Sequence, residues 1–568
     1  MQKGIFHSRN LTLLWTTLDY KEMTMPKAKE KTKNIETSSP HHYVYPNTTT
    51  LKNKYGITNF DAFTAKYTHD TAKAIVNLRE APLPEKFDSS YLCSIHHQLF
   101  KNTFEWAGQP RNVPFTFLDE SVTAMPEMKR AEWNNVFAND DEIEEGLQTL
   151  NKTLAEKNAL RSLTREDFIS EAVPLFVSLK NIRPFINGNE HTIHLFFEKL
   201  AQAAEHQLDF SLVTKERMLV ASVAAIQNDN LEPMQHLFED ISNPQKIHLL
   251  KEFMSNMKEL GRDINDRSVM VTKEGETYTG TYRGAGHDSL AFNVNGAYII
   301  GDKEDLTPEQ LKTLKPGDKF TFTASQTQEL KNILIPKETL APLSKTEKAE
   351  MIAKDACVHT ARNQIQRLSK TVYDNAKTLD KKMVAIIKNP ALGQQLAEQI
   401  ERSPDSVAHL AGFSLCGLQN QARANAKNHL EMLCSAVANF AHAVKHAEKE
   451  ITQEHATEQK RRATTVEMPS KSLQDLFTLP KELQQESLAK NLGLQKELSN
   501  LVKNINSRLS ATEHKAVKNN DYETLAQSIG VSENKAKQIT QTVKQAKEVH
   551  QQACTRTVNH SNVLAIAS

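Results

Sequence analysis

Between Ser268 and Asp302 the sequence SVMVTKEGETYTGTYRGAGHDSLAFNVNGAYIIGD alternates apolar and polar residues between glycine-containing turns, the period-2 pattern of short strands. On both sides of it the apolar residues instead recur three and four apart. The two periods need different partners for burial, so the chain must be built as helices, then a small β region, then helices again. LKPGDKFTFTAS, Leu314 to Ser325, adds a further turn and strand, and four or five short strands in about 60 residues predict a small barrel. At 568 residues the chain exceeds a single core and implies three or four domains of about 100 to 200 residues.

In the first helical region, helices are expected around Asp61 to Arg79, Ser89 to Lys101, Ala124 to Ala138 and Arg165 to Ile182. The last carries Phe168, Ala172, Leu175, Phe176 and Leu179 on one stripe. WAGQPRNVPFTF, Trp106 to Phe117, suits a hairpin or flap. From Leu343 onward glycine is scarce, and Leu430, Leu433, Val437, Phe440 and Val444 trace the seam of an antiparallel bundle. The prolines in Lys388–Leu392 and Arg402–Ser406 mark helix ends. Met468 to Leu479 reads as a linker, with helix continuing to about Cys554. Lysine-rich Pro26 to His42 reads as a disordered lead-in, and Met23 or Met25 as a plausible start.

The balance of 70 basic and 69 acidic residues hides an asymmetry. Residues 1–340 hold 39 basic and 46 acidic residues, a net of −7; residues 341–568 hold 31 and 23, a net of +8. The back half therefore suits an acidic partner, although a solvated helical surface accounts for the excess equally well. Five scattered cysteines without CxxC spacing indicate neither a disulfide framework nor a zinc site. No apolar run approaches the roughly 20 residues of a membrane span, and Asn10 to Thr17 is too short and polar for a secretory signal.

The stretch KNIRPFINGNEHTIHLF, Lys180 to Phe196, lies between two amphipathic helices. Gly188 and Asn189 at a helix entrance suit an anion cradle, and a plain helix cap explains them as well. The stretch resembles the Fic motif, HPFxxGNGRxxR with an acid commonly just before the first glycine. FEWAGQPR, Phe104 to Arg111, is similar to the segment before the Fic flap. The resemblance implies a helical Fic domain with a β-hairpin flap. In active members the motif histidine takes a proton from a target hydroxyl as AMP passes to it from ATP, with magnesium held by the acid.

Position by position, Arg183 stands at the histidine, Asn187 at the acid, Glu190 at the second glycine, and His191 and His194 at the two phosphate-gripping arginines, while Pro184, Phe185, Gly188 and Asn189 are kept. A guanidinium has no lone pair to act as base. No catalytic residue and no metal site are therefore expected. Asn187, Gly188, Asn189, Glu190, His191 and His194 form the phosphate-binding set if one is retained, and ATP and magnesium belong here only if the site is active. The expected reading is a scaffold that has lost adenylyl transfer; an active adenylyltransferase is the alternative.

Lys345 to Arg462 resembles the BID domain of Bartonella effector proteins, through the run from Lys388 to Leu433 and the later EQKRR, Glu458 to Arg462. YVYPNTTTLKNKYGITNF, from Tyr43, also looks like theirs. The resemblance implies a mainly α multidomain chain: disordered lead-in 1–42, Fic domain 43–240, OB-like barrel 241–340, BID bundle 341–470 and basic helical tail 471–568. It also implies synthesis in the bacterial cytoplasm and delivery into a host cell by a VirB-type type IV secretion system, without a cleaved signal peptide. The partners implied are the secretion coupling machinery, a host protein, a small antitoxin-like regulator and an anionic membrane surface. Nucleic acid is not expected, because the strands carry no aromatic-plus-arginine ladder.

Overall fold

The computed structural model describes residues 40–127, 138–325, 332–415 and 418–566. It divides into two compact units, Met1–Leu306 with Leu314–Thr327, and Thr307–Thr313 with Gln328–Ser568.

The first unit opens with a 3₁₀ turn, Pro40–Tyr43. Of the expected lead-in, the remainder lies outside the described residues. Helices α1 (Phe60–Glu80), α2 (Ser89–Phe100), α3 (Asp140–Glu156) and α4 (Arg165–Ile182) follow, each started by a side chain that accepts a first-turn N–H: Asn59, Asp88, Asn139 and Thr164. Next come α5 (Asn189–Ala203), α6 (Lys215–Gln227), α7 (Glu232–Ser242) and α8 (Pro244–Glu259). The α4 stripe is buried as its spacing demands, and Ile193, Phe196, Phe197 and Leu200 of α5 meet it in the same core.

Two expectations in this unit are corrected. Ala124–Glu127 and Ala138 are not helical, and the rest of the helix expected there lies outside the described residues. The next described helix is α3, which starts where Asn139 and Glu142 make a capping box. Within Trp106 to Phe117 only Phe115–Thr116 (β1) is strand, paired antiparallel with Val122–Thr123 (β2), so the hairpin sits later than the glycine and prolines suggested. Trp106 and Arg111 are instead among the most deeply buried side chains.

The β-textured stretch gives β3 (Val269–Val271), β4 (Thr277–Ala285), β5 (Ser289–Val294), β6 (Ala297–Asp302) and β7 (Lys319–Thr323). Their order is β3-β6-β5-β4-β7, with β3 parallel to β6 and the other pairs antiparallel. This is a small mixed sheet, and no pairing of β3 with β7 closes it among the described residues. It shares a core with the helices: Ile247, Leu250 and Phe253 of α8 lie in one cluster with Val269, Val271 and Ile300. Buried Asp240 fixes the join, accepting the Val271 N–H at 2.9 Å and pairing with Arg217 at 2.6 Å.

The second unit has two apolar cores. One gathers Val358, Ile365, Met383, Ile386, Leu396 and Ile400 around a helix of 33 residues, Leu430–Arg462, that presents Leu433, Val437, Phe440 and Val444 as the spacing predicts. Pro390 separates helices ending at Lys388 and starting at Ala391. The other core joins Leu334, Ile335 and Val466 to helices from Lys471 to Ile566. The expected linker Met468 to Leu479 is corrected here. Lys471–Thr478 is a helix capped by Ser470 that buries Leu473, Leu476 and Phe477, and its eight residues are too few for a periodic signal. Among the described residues no helix is long and apolar enough to cross a membrane.

Candidate functional site

Helix α4 is capped at its C-terminus by Arg183, whose φ of 41° lies in the left-handed region and whose N–H closes on Leu179 O at 3.0 Å. A side chain there costs roughly 1 kcal/mol or more, so neighbours must hold the turn. Arg111, from the segment before the hairpin, does so. Its Nε donates to Arg183 O at 2.9 Å and its Nη2 to Ile182 O at 3.1 Å and Ala138 O at 2.5 Å. Its Nη1 donates to Met125 O at 2.8 Å and Pro126 O at 2.6 Å. Burial, and then the charge of Arg183, push this guanidinium down to about 10.

Gly188 precedes α5 with φ 80°, and any Cβ there would collide with the Phe100 ring, so only glycine fits. Asn189 closes the turn on itself, its Oδ1 accepting from Phe185 N at 3.0 Å and its Nδ2 donating to Phe185 O at 2.8 Å. Phe185 stacks on His96 with centroids 3.9 Å apart. His96 accepts the Gly108 N–H at Nδ1 and donates from Nε2 to Asn187 O at 2.9 Å, which fixes the neutral tautomer. Burial pushes its pKa down to about 3. The Asn187 Oδ1 accepts from Tyr67 OH at 2.8 Å, and its Nδ2 is buried without a hydrogen-bond partner among the described residues.

Glu190, at the second-glycine position, lies inside the turn at 3% exposure. Its carboxylate meets Lys180 Nζ at 2.9 Å, His194 Nε2 at 3.5 Å and Arg183 Nη1 at 3.7 Å. Burial alone would raise its pKa, but the surrounding cations outweigh that and hold it ionised. Arg183 is therefore paired with a carboxylate of the motif itself.

His191 and His194 are both buried, and desolvation pushes them down to about 4 and about 3. His194 stacks on Phe210 at 4.3 Å and Phe176 at 5.9 Å. Where a phosphate clamp would need two cations, the ring positions are neutral at pH 7. The structure thus brings all the motif residues into one buried turn. It adds three groups that motif spacing does not reveal, Arg111, His96 and Lys180; the only hints in sequence were an arginine in FEWAGQPR and a lysine in an apolar helix end.

The sequence pattern of the Fic/DOC family matches residues 86–201. A second pattern, described as an intracellular delivery domain, matches residues 270–322. The solved structure of the type IV secretion system effector protein BepA shares 68% identity, covers 52% of this chain and 99% of its own, and superposes with a TM-score of 0.50. A protein adenylyltransferase of Bartonella henselae is 64% identical over 544 residues, spanning 96% of this chain and 100% of that protein.

The chain belongs to the Bep family of Bartonella effectors. More distantly, the effector is 26% identical over 183 residues to the protein adenylyltransferase VbhT of Bartonella schoenbuchensis, spanning 32% of this chain and 33% of that one. The effector's delivery-domain match falls on the strands β3 to β7, upstream of the helical bundle.

Proposed function

We propose that this effector is delivered into host cells by type IV secretion and works there through a Fic domain that binds without transferring AMP. The observation that carries the second part is the buried Glu190 carboxylate, neutralised from within by Lys180 and Arg183. Arg183 stays protonated at any physiological pH and offers no base for a target hydroxyl. Loss of a general base alone costs about 10²- to 10⁴-fold in rate. The donor set also does not fit a magnesium nucleotide. Asn187 supplies a neutral amide already engaged by Tyr67, Glu190 is ion-paired, and His191 and His194 are neutral rings. A rigid turn fixed by Arg111 and Asn189 remains, supporting a scaffold whose partner is a host protein.

For delivery, the BID region 341–470 and tail 471–568 are the proposed signal, with their surplus of eight positive charges available to the secretion coupling machinery or an anionic leaflet. Arg461 and Arg462 of the EQKRR run are not among the charges free for such a contact, being paired with Glu458, Glu513 and Glu338.

Two assays test the reading. Incubation with labelled ATP and host lysate should label no target; labelling by wild type that fails with Arg183→Ala would replace the scaffold with the adenylyltransferase reading, the activity named for its Bartonella henselae relative. Deleting 341–568 from a reporter fusion should stop transfer into host cells, and continued transfer would assign the signal to the β region.

A further inference from the structure

His248 and Glu252 stand one turn apart on α8, and Asp288 lies in the turn between β4 and β5. Their ligand atoms, one imidazole nitrogen and two carboxylate oxygens, all lie within 4.8 Å of one another. His248 Nε2 is 2.8 Å from Asp288 Oδ2, and the Asp288 N–H donates to Glu252 Oε2 at 3.0 Å. Asp288 is buried at 6% exposure, while the His248 side chain is 53% exposed, so the group has a closed wall and an open face. Gly286 brings the turn close to the Glu252 carboxylate, since a Cβ at that position would collide with Glu252 Oε1.

We propose that His248, Glu252 and Asp288 bind one divalent transition-metal ion, zinc before the others, with solvent completing the coordination on the open face. The chemistry of the donor set argues for this. A nitrogen and an oxygen at i and i+4 on a helix, plus a carboxylate from a turn, supply three ligands to a tetrahedral site that keeps one position open. Two carboxylates balance a dication. A single nitrogen and two oxygens are too few for calcium, which takes six to eight oxygens, and imidazole favours zinc, copper or nickel over magnesium.

Ligand atoms about 3.3 Å apart suit metal bonds of about 2.0–2.1 Å. The His248–Asp288 pair must open by a few tenths of an ångström, and the most distant pair must close by movement of the more accessible His248 and Glu252 side chains. A bound cation would tie α8 to the β4–β5 turn.

The competing account is a plain His248–Asp288 ion pair with Glu252 anchoring the turn. Zinc chloride titrated into the full-length chain separates the two, read by calorimetry and by melting temperature, with cobalt substitution reporting coordination through its visible absorption. The expected result is one site per chain, a melting temperature that rises with zinc, and at least tenfold weaker binding in both His248→Ala and Glu252→Gln. His248 is exposed enough that its variant should fold, and circular dichroism without metal checks both. Zinc binding equal in wild type and His248→Ala, or none in wild type, would overturn the proposal.

Discussion

The Lys180 ammonium lies 2.9 Å from the Glu190 carboxylate, across side chains only 9% and 4% exposed. Lysine closes α4 and glutamate opens α5, so one ion pair bridges the whole turn that carries the motif. Each charge suits its helix end, glutamate near a positive N-terminus and lysine near a negative C-terminus. Arg183 and His194 complete the ring around the same carboxylate. An anion cradle in which the protein supplies its own anion has a structural role without any nucleotide.

Breaking that pair from one side should be costly. Lys180→Met is expected to destabilise the Fic domain by about 2–4 kcal/mol, because Glu190 stays buried with weaker partners. Adding Glu190→Leu should recover part of the loss, since replacing both charges removes the uncompensated one. Urea unfolding followed by tryptophan emission measures it, as all three tryptophans, Trp15, Trp106 and Trp133, lie in the first part of the chain.

Acid should weaken the same domain. His96, His191 and His194 have folded values pushed down to about 3, 4 and 3 from an ordinary 6.5, so the unfolded chain binds more protons between these limits. Stability contributed by the neutral rings is full above pH 6.5 and declines as pH falls toward 4, by up to about 1.4 kcal/mol per pH unit for each ring. Glu190, whose value is depressed, adds its loss only below about pH 4.5. Urea midpoints at pH 7 and pH 5 should differ less in His194→Phe than in wild type.

Arg111→Lys should loosen the link between motif and hairpin. The guanidinium donates to five carbonyls, and an ammonium has three donors. A loss of about 3 kcal/mol or more is expected, with faster hydrogen exchange first at Met125 and Arg183.

Restoring the motif histidine alone should not restore AMP transfer. Arg183→His supplies a base but leaves the amide of Asn187 at the metal position and two neutral rings at the clamp positions. Label transfer to a host protein above background in this variant would show that the remaining residues suffice.

Much of the fold could be read from periodicity. The α4 stripe, the bundle seam from Leu433 to Val444 and the strands after Ser268 follow local spacing, and burial respects it. What escaped reading depends on contacts distant in sequence or on very short elements. Arg111 reaches Arg183 across 72 residues and Tyr67 reaches Asn187 across 120, separations no window detects. The eight-residue helix at Lys471 offers only two turns of pattern, whereas α3 carries both a capping box and the stripe Ile143, Leu147, Leu150 and Leu154, signals that were present in the sequence. Within the motif, residue types place an arginine where the family has its base, while the inward turn of Glu190 required knowing that Lys180 is buried beside it.

Equilibrium titration of the full-length effector with magnesium ATP addresses the self-neutralised turn most directly. The account predicts no saturable binding up to about 1 mM, a free energy weaker than about −4 kcal/mol. Micromolar binding that shifts when Lys180 or Arg183 is substituted would contradict it.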